Sequence, residues 1–386
     1  MREHFELDAG AVHGHLARAR ERAAAPVVDA TVARAAAGEA LDVDDMALLW
    51  SAPSLDAAAV YALACALRRR RVRLETFSPL YLTNTCDAEC RMCGMRSDNA
   101  ALRRETVDLD TIDAQLRVLW QRGMQAVALL TGEYRGATRA WALQYVNQAL
   151  RRTQTLGFRH VLINVGAIDA EEFDTLLAGI ARRADGAVAP KLTMCTFQET
   201  YARDCYRRFM GGSAENPRAD YQRRLANFDR ARAAGMRVAN PGILVGLNPD
   251  LGFELVAVAL HVQHLLAHGM EVYLSVPRLR QTAGSANQRG ADDNAFVRLV
   301  AVLALGVPQA KIVLTTREPA AIQRQLAPLI TVLSAGSAAV APYTETGARF
   351  PLEASQFEVI DQRPFEDILA EHLVPGVGIE NFAPRA

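Results

Sequence analysis

The chain has 386 residues, 50% of them hydrophobic, and its 43 basic residues are balanced by 43 acidic residues. This length suits one large domain with extensions, or two smaller domains, and the balanced charge gives no reason to expect a nucleic-acid partner. The first residues lack the apolar region of a signal peptide, and no apolar run approaches the roughly 18 residues of a membrane span. We therefore expect a cytoplasmic protein without a membrane partner.

Lysine and cysteine usage narrows the chemistry further. Lysine occurs only at Lys191 and Lys311, and both residues begin predicted strands. Neither position suits a Schiff-base or phosphate-binding lysine, which argues against pyridoxal-phosphate chemistry and a P-loop. Six cysteines in a chain of this length do not form a disulfide framework. We interpret Cys65, Cys195 and Cys205 as small buried residues.

Residues 1–74 are rich in Ala and Arg and show helical periodicity without a strand, so we predict an N-terminal helical extension. Amphipathic helices are expected at Asp45–Trp50 and at Ser54–Leu67, the second with Ser54 as its N-cap. The basic run at 68–71 is interpreted as the cationic end of that helix rather than as a nucleic-acid patch.

Residues 75–345 alternate between short β-rich runs and helical stretches. Eight such repeats predict a parallel sheet closed into a (β/α)8 barrel of the TIM type, an α/β fold. The predicted strands are Phe77–Leu82, Ala126–Leu130, His160–Asn164, Leu192–Phe197, Val238–Val245, Val272–Val276, Ile312–Thr316 and Ile330–Ser334. The helices predicted between them include Thr111–Arg122, Arg139–Thr155, Ala170–Arg182, Tyr221–Ala234, Glu254–His268 and Asn294–Leu305.

Residues 346–386 are punctuated by proline and contain no cysteine. We predict that they form a C-terminal extension packed on the barrel, with one short helix at Phe365–His372 and no second cluster.

Three cysteines follow the first predicted strand at C-x3-C-x2-C spacing: Cys86, Cys90 and Cys93. Thiolates select zinc or an iron–sulfur cluster, and a structural zinc site requires four ligands. No fourth Cys or His lies within ligand spacing of Cys93. Three ligands on a 4Fe-4S cluster leave one iron open, so the spacing favours a cluster over zinc.

Polar residues and glycines follow each of the other strands, at the end where such barrels carry their active sites. Gly132 and Glu133 follow the second strand, where a carboxylate could accept from the ammonium group of a bound cofactor, although Glu133 could instead be a helix-start acid. Further candidate contacts at strand ends are Asn164, Glu199, Gly242 and Gly246. The two glycines are equally consistent with an adenine that packs on the backbone and with a tight corner of the barrel.

Arg317 is the candidate substrate residue, because a guanidinium at a barrel mouth matches the geometry of a carboxylate. Ser334 lies at the end of the neighbouring strand, and together they suggest a clamp for an amino acid. The alternative is that Arg317 forms a salt bridge to Glu318 or Glu133. Arg278 is a second candidate, since strand alternation would point Arg280 outward. Tyr81 could cover the substrate or pack in the barrel.

At this point the sequence resembles the radical S-adenosylmethionine (SAM) aromatic amino acid lyases over residues 70–360. The resemblance rests on six segments: Cys86-Asp-Ala-Glu-Cys-Arg-Met-Cys93, Leu130-Thr-Gly-Glu-Tyr134, Gln198-Glu-Thr-Tyr201, Tyr206-Arg-Arg-Phe-Met210, Ser275-Val-Pro-Arg-Leu-Arg280 and Val313-Leu-Thr-Thr-Arg-Glu-Pro319.

The resemblance implies that a 4Fe-4S cluster on the three cysteines reduces SAM, and that the resulting 5′-deoxyadenosyl radical takes hydrogen from the substrate amino group. It implies that Arg317 holds the substrate carboxylate, that Ser334 lies beside it, and that Tyr81 lines the pocket. An electron donor such as flavodoxin or ferredoxin is implied as a partner.

Within the family, the resemblance favours the tryptophan lyases of thiopeptide antibiotic biosynthesis, which form 3-methyl-2-indolic acid by carboxyl migration. The first alternative is a tyrosine lyase that cleaves Cα–Cβ to p-cresol and dehydroglycine. The hydrogenase-type tyrosine lyase carries a C-terminal cluster, which disfavours it here. Thr85 departs from the aromatic residue that is usual before the first cysteine and so alters the expected pocket. An alternative of another class is a non-catalytic iron–sulfur or zinc protein.

Overall fold

The computed structural model describes residues 4–67, 73–285, 290–344, 347–348, 350–372 and 376–383. The basic run at 68–71 lies outside these residues. The strands of the main sheet are β1 (Arg73–Tyr81), β2 (Ala126–Leu130), β3 (His160–Asn164), β4 (Lys191–Cys195), β5 (Val238–Asn240), β6 (Glu271–Ser275), β7 (Lys311–Thr315) and β8 (Val332–Ser334).

These strands pair in parallel in chain order, and β1 also pairs with β8. The closure depends on the length of β1, because its first half pairs with β8 (Glu75 opposite Val332) and its second half with β2 (Ser78 opposite Val127). The predicted (β/α)8 barrel is confirmed. Apolar side chains from alternate strand positions fill its interior, among them Phe77, Ala128 and Val313.

The helices form a layer outside the barrel. Their bounds are α1 (Ala9–Glu21), α2 (Ala25–Ala36), α3 (Val43–Ser51), α4 (Ala57–Leu67), α5 (Leu109–Gln121), α6 (Gly136–Leu156), α7 (Glu172–Leu176), α8 (Arg203–Met210), α9 (Tyr221–Leu225), α10 (Asn227–Ala233), α11 (Leu251–Ala267), α12 (Asp293–Gly306), α13 (Ala320–Leu326) and α14 (Phe365–Ala370). Helices α1 to α4 share one hydrophobic core with α11 and α12, so the N-terminal helices pack on the barrel's outer layer.

Four predicted elements differ clearly from the structure. Helix α4 begins at Ala57, and its N-terminus is capped by Asp56, whose Oδ1 accepts from the N–H of Ala59 at 2.7 Å, so Ser54 is not the cap. The fifth strand ends at Asn240 because Pro241 has no N–H for the ladder; beyond it, pairing continues only through isolated bridges.

The predicted helix at 170–182 is reduced to α7, which ends before Gly179, a residue with φ of 72°. The predicted helix at 221–234 is divided into α9 and α10 at Ala226.

The described residues of the C-terminal segment contact both ends of the barrel. Its strand β11 (Gly378–Glu380) pairs in parallel with the first residues of β1. A 3-10 turn (Leu352–Ala354) and the residues after it lie across the opposite end of the barrel, near the cysteine loop. Strands β9 (Tyr343–Thr344) and β10 (Gly347–Ala348) form a small hairpin. No helix in the described part of the chain has the length and apolar character to span a membrane.

The N-terminal end of the barrel is closed by a cluster that contains both lysines of the chain. Lys191 donates to the Tyr273 hydroxyl at 2.7 Å and lies 3.1 Å from the Glu271 carboxylate. Lys311 and the Tyr273 hydroxyl both donate to Glu75, which is buried. The cluster therefore balances the charge of Glu75 with two cations and a phenol.

We predict that Glu75→Gln lowers the free energy of unfolding by about 2 kcal/mol, because the buried side chain loses its charge-assisted hydrogen bonds from Lys311 and Tyr273 while Lys311 keeps Glu271 as a partner. Thermal or urea unfolding of the purified protein would measure this loss. Glu271→Gln is the matched control, since that side chain is 36% exposed and its replacement should cost far less. Equal effects of the two changes would contradict a buried role for Glu75.

Candidate active site at the barrel mouth

The cysteine loop follows β1 directly and surrounds its sulfur atoms with backbone donors. The N–H groups of Ala88 and Glu133 point to the Cys86 Sγ at 3.4 and 3.3 Å. The Cys93 Sγ accepts from the N–H of Met95 at 3.4 Å. Such N–H···S contacts suit sulfur atoms that carry negative charge, as cluster ligands do.

Burial raises the pKa values of all three thiols, and that of Cys86 reaches about 12. A thiol must lose its proton to bind a metal centre, so a cluster would supply the positive charge that these buried sulfur atoms need as thiolates. Among the described residues, no group of three or more Cys, His, Asp or Glu is arranged to hold a single metal ion. A cluster binds each cysteine through a different iron, so its ligands lie farther apart than those of one ion. All three cysteines line the same cavity.

Gly132 and Glu133 hold the cysteine loop against β2. A Cβ at Gly132 would lie 2.0 Å from the Thr85 carbonyl oxygen and 2.7 Å from the Cys86 Cα, so only glycine fits. The Glu133 carbonyl accepts from the N–H of Asp87 at 2.9 Å, next to the first cysteine. The Gly-Glu pair therefore supports the cysteine loop through its backbone.

The Glu133 side chain is buried and paired with two arginines. Its Oε1 lies 2.7 Å from Arg224 Nη1 and 3.3 Å from Arg218 Nε. Burial alone would raise the pKa of this carboxyl, but Arg224 and Arg218 outweigh it and lower the pKa. Glu133 is thus an anion within the site rather than a simple helix-start acid.

Glu199 follows β4 in a conformation that non-glycine residues rarely adopt, with φ of 67°. Its carboxylate accepts from Arg218 at 3.1 Å, and its backbone pairs with Gly242 and Leu244. Such backbone conformations are concentrated at functional sites. Arg218 therefore bridges the carboxylates of Glu133 and Glu199.

Arg317, Tyr81 and Ser334 line the same cavity as the three cysteines. The Arg317 guanidinium lies 3.1 Å from the centre of the Phe357 ring. Its Nε is buried and has no hydrogen-bond partner among the described residues. Burial lowers the pKa of Arg317 to about 10, which the nearby Tyr81 and Glu199 only partly oppose. Arg317 is thus a partly buried cation that has no carboxylate partner among the described residues.

Neither expected alternative partner of Arg317 binds it. Glu318 is buried and accepts from Arg278 and Arg280, and Glu133 is held by Arg218 and Arg224. The structure also reverses the expected orientation of the two arginines after β6. Arg280 lines the cavity, whereas Arg278 points into the barrel wall, bonds to Asp293 at 2.6 Å and stacks on Phe296. The strand has already ended before Arg278, so strict alternation does not apply there.

The remaining sequence candidates divide between the cavity and its wall. Asn164 lines the cavity at the end of β3. Gly242 and Gly246 do not line it. A Cβ at Gly242 would meet the Phe197 ring at 2.7 Å, and one at Gly246 would meet the backbone of Gly290 and Ala291. Both glycines permit close packing of barrel segments.

The cavity encloses about 1440 Å³, including its opening to solvent. Sequence reasoning missed several of its lining residues: Arg218, Arg224, Arg280, Gln356 and Phe357. The one indication for Arg218 in the sequence was its position shortly after the Tyr206–Met210 segment. In the structure, the Arg218 carbonyl accepts from the Tyr206 hydroxyl at 2.8 Å. Gln356 and Phe357 come from the C-terminal extension, where no pattern pointed to the site. Cys195, expected to be merely buried, also lines the cavity, whereas Cys65 and Cys205 are only partly buried.

Known proteins similar to this chain agree with this geometry. Residues 275–372, about a quarter of the chain, match the model of the Biotin and Thiamin Synthesis associated domain. The 2-iminoacetate synthases of Salmonella typhimurium and Escherichia coli are each 27% identical to the chain over 311 residues, which cover 78% of this chain and 76% of those proteins.

Several solved structures share the fold of this chain. The FeFe-hydrogenase maturase HydG from Carboxydothermus hydrogenoformans matches with a TM-score of 0.79 and 22% identity, over 97% of this chain and 85% of that one. A second HydG structure matches with the same TM-score and 26% identity, over 94% of this chain and 78% of that one. Methylornithine synthase shares the fold, with a TM-score of 0.67 and 17% identity over 90% of this chain and 96% of that one.

The fold, the cysteine loop and these relatives together show that the protein is an enzyme, a radical SAM carbon–carbon lyase that uses a 4Fe-4S cluster and SAM. The relatives are consistent with the resemblance of the sequence to the radical SAM aromatic amino acid lyases. The non-catalytic iron–sulfur and zinc alternatives are set aside on this evidence.

We predict that Gly132→Ala prevents the cluster from loading, because the added Cβ displaces the backbone that carries Cys86. Iron and sulfide per protein after anaerobic reconstitution would measure the loss. Gly212→Ala is the matched control near the same loop, where the closest atom to an added Cβ is 4.0 Å away. Full iron content in Gly132→Ala would contradict the close contact.

Proposed function

We propose that this radical SAM lyase fragments L-tryptophan, with carboxyl migration, to 3-methyl-2-indolic acid, as 3-methyl-2-indolic acid synthase does in thiopeptide antibiotic biosynthesis. One observation supports the proposal for an amino acid substrate: Arg317 lines the cavity that holds the three cysteines, and its buried Nε has no partner among the described residues. A buried guanidinium nitrogen without an acceptor is costly, and a substrate carboxylate would supply that acceptor.

We propose that residues at or just after the ends of β7, β8 and β1 place the substrate's amino acid group. Arg317 would bind the carboxylate, Ser334 would lie beside it, and Tyr81 would lie along the substrate. The Tyr81 hydroxyl already donates to Gln356 at 2.5 Å, so its orientation is set before the substrate arrives. Preorganised groups of this kind hold a reacting atom in a defined position.

The cofactor side of the cavity is proposed to hold SAM through Gly132, Glu133, Asn164 and Glu199. When bound, the cluster and SAM supply a 5′-deoxyadenosyl radical. Glu133 and Glu199 are both anionic groups near the cysteines, and Arg218 joins them. Gly242, Gly246 and Arg278 lie behind the cavity surface and would act on the site only through packing.

The aromatic ring is proposed to lie deeper, over the apolar barrel interior formed by Phe77, Ala128, Cys195 and Val313. Asn240 and Ser275 line the same region and bond to each other at 2.9 Å. Small side chains such as Ala128 and Cys195 leave space for a two-ring substrate. The deep polar pair could accept from an indole N–H or from a phenol.

A tyrosine lyase is the second candidate, favoured by the 27% identity to the 2-iminoacetate synthases. Its products would be p-cresol and dehydroglycine, formed by Cα–Cβ cleavage. The cluster requires an electron donor in either case, and we propose a flavodoxin or ferredoxin for this role.

The substrate is decided by incubating the reconstituted enzyme with SAM, dithionite and either tryptophan or tyrosine. We expect tryptophan to give 3-methyl-2-indolic acid together with 5′-deoxyadenosine, detected by mass spectrometry. Formation of p-cresol from tyrosine, with tryptophan unchanged, would establish the second candidate. Cleavage of SAM with neither amino acid consumed would reject both substrates.

Arg317→Ala should lower kcat/KM for the amino acid by roughly a hundredfold or more, because the substrate carboxylate would be buried without its cation. The cluster content should remain normal. Arg317→Lys should recover only part of the loss, since an ammonium cannot form the paired contact of a guanidinium. Arg324→Ala, an exposed arginine on α13, is the matched control. Unchanged substrate binding in Arg317→Ala would show that the carboxylate binds elsewhere.

A further inference from the structure

The C-terminal extension reaches the site through Gln356 and Phe357. Both residues follow the 3-10 turn at Leu352–Ala354 and line the cavity that holds the cysteines. Gln356 has two side-chain contacts, one on each side of its amide. Its Nε2 lies 3.4 Å from the Cys93 Sγ, and its Oε1 accepts from the Tyr81 hydroxyl at 2.5 Å. Gln356 is thus placed between a cluster cysteine and a substrate-side residue.

The chemistry of the two neighbours determines which way the amide faces. A cluster-bound thiolate carries no proton, so it can accept a hydrogen bond but cannot donate one. The amide nitrogen must therefore face Cys93, and the amide oxygen is left to accept from Tyr81. Burial raises the pKa of Tyr81, so its hydroxyl keeps the proton that it donates.

The backbone around Gln356 is held from both directions. Its N–H donates to the Ala338 carbonyl at 3.0 Å, and its carbonyl accepts from the N–H of Gly94 at 2.9 Å, the residue after Cys93. A Cβ at Gly94 would lie 2.8 Å from the Ser355 carbonyl oxygen, so glycine is required for this contact. The extension and the cysteine loop therefore cannot shift independently at this point.

We infer that Gln356 is a positioning residue that sets the redox potential of the cluster and links it to the substrate pocket. The inference uses the cluster and the Tyr81 side of the cavity, but it does not depend on which amino acid is the substrate. No role is assigned to the C-terminal extension by the cysteine motif or by the proposed reaction.

The expected direction of the effect follows from charge. Reduction adds an electron to the cluster, and an N–H donor at a ligand sulfur stabilises the more negative form. The Gln356 amide should therefore raise the midpoint potential. Donation from Tyr81 to the amide oxygen polarises the amide and makes its N–H a stronger donor to Cys93.

Phe357, the residue after Gln356, connects this segment to the proposed substrate residue Arg317. The Phe357 ring lies against the Arg317 guanidinium. A carboxylate bound by Arg317 would change the position of the Phe357 ring, which follows Gln356 directly in the chain. A substrate beside Tyr81 would change the position of the Tyr81 hydroxyl. Occupation of the pocket should therefore alter the hydrogen bond at Cys93 and, through it, the ease of cluster reduction.

The test is a redox titration of the cluster-loaded protein, with SAM and without amino acid, followed by electron paramagnetic resonance. Gln356→Leu removes both contacts, and Gln356→Glu keeps an acceptor for Tyr81 but replaces the N–H donor with a negative charge. Both should shift the midpoint potential to more negative values, with the larger shift in Gln356→Glu. Gln362→Leu, an exposed glutamine in the same extension, is the matched control and should leave the potential unchanged.

Unchanged potentials in both Gln356 variants would overturn the inference. Failure of both variants to load a cluster, while Gln362→Leu loads fully, would also overturn it in favour of a purely structural role. Because these titrations contain no amino acid, their outcome is separate from the substrate assay.

A separate titration tests the connection between Tyr81 and the cluster. Tyr81→Phe should shift the potential in the same direction as Gln356→Leu but by less, since the amide keeps its contact with Cys93. A wild-type potential in Tyr81→Phe, beside a shifted one in Gln356→Leu, would overturn the connection between Tyr81 and the cluster.

Discussion

Buried charge at the barrel mouth is the constraint on which the site depends. Arg218 and Arg224 hold Glu133, and Arg218 also holds Glu199, all with little exposure to solvent. Charges in this environment are stable only when each has a partner. The pairing joins the ends of β2 and β4 to the segments that follow α8, and the Glu133 backbone extends the connection to Cys86. The cysteine loop is therefore positioned by an ion network as well as by its own turns.

The same constraint distinguishes Arg317 from the arginines around it. Arg218, Arg224, Arg278 and Arg280 all pair with buried carboxylates, and each is thereby part of the scaffold. Arg317 contacts an aromatic face instead, and burial lowers its pKa. A ring can accompany a guanidinium without neutralising it, which leaves the charge available to an anion. These four arginines thus stabilise the cavity wall, whereas Arg317 has no carboxylate partner among the described residues.

Local pattern was sufficient to predict the barrel, and it selected three cysteines that the structure places in one cavity. Strands such as Ala126–Leu130 and His160–Asn164 were predicted with their observed bounds, because an apolar run bounded by polar residues is a local property. The partner of a side chain is not local. The orientation of Arg278 depends on Glu318, forty positions away, and the place of Gln356 depends on a loop more than 250 residues earlier. Gly242 and Gly246 do lie where another group comes close to the backbone, but in the structure that group is another part of the protein.

The confinement of lysine to the closed end of the barrel has a practical consequence for handling this protein. Lys191 and Lys311 are about one-third exposed and lie together, on the face opposite the cysteine loop. Amine-directed reagents that modify lysine side chains are therefore limited to one pole of the molecule. Coupling through these side chains would attach the protein to a bead or an electrode by its base and leave the mouth facing solution.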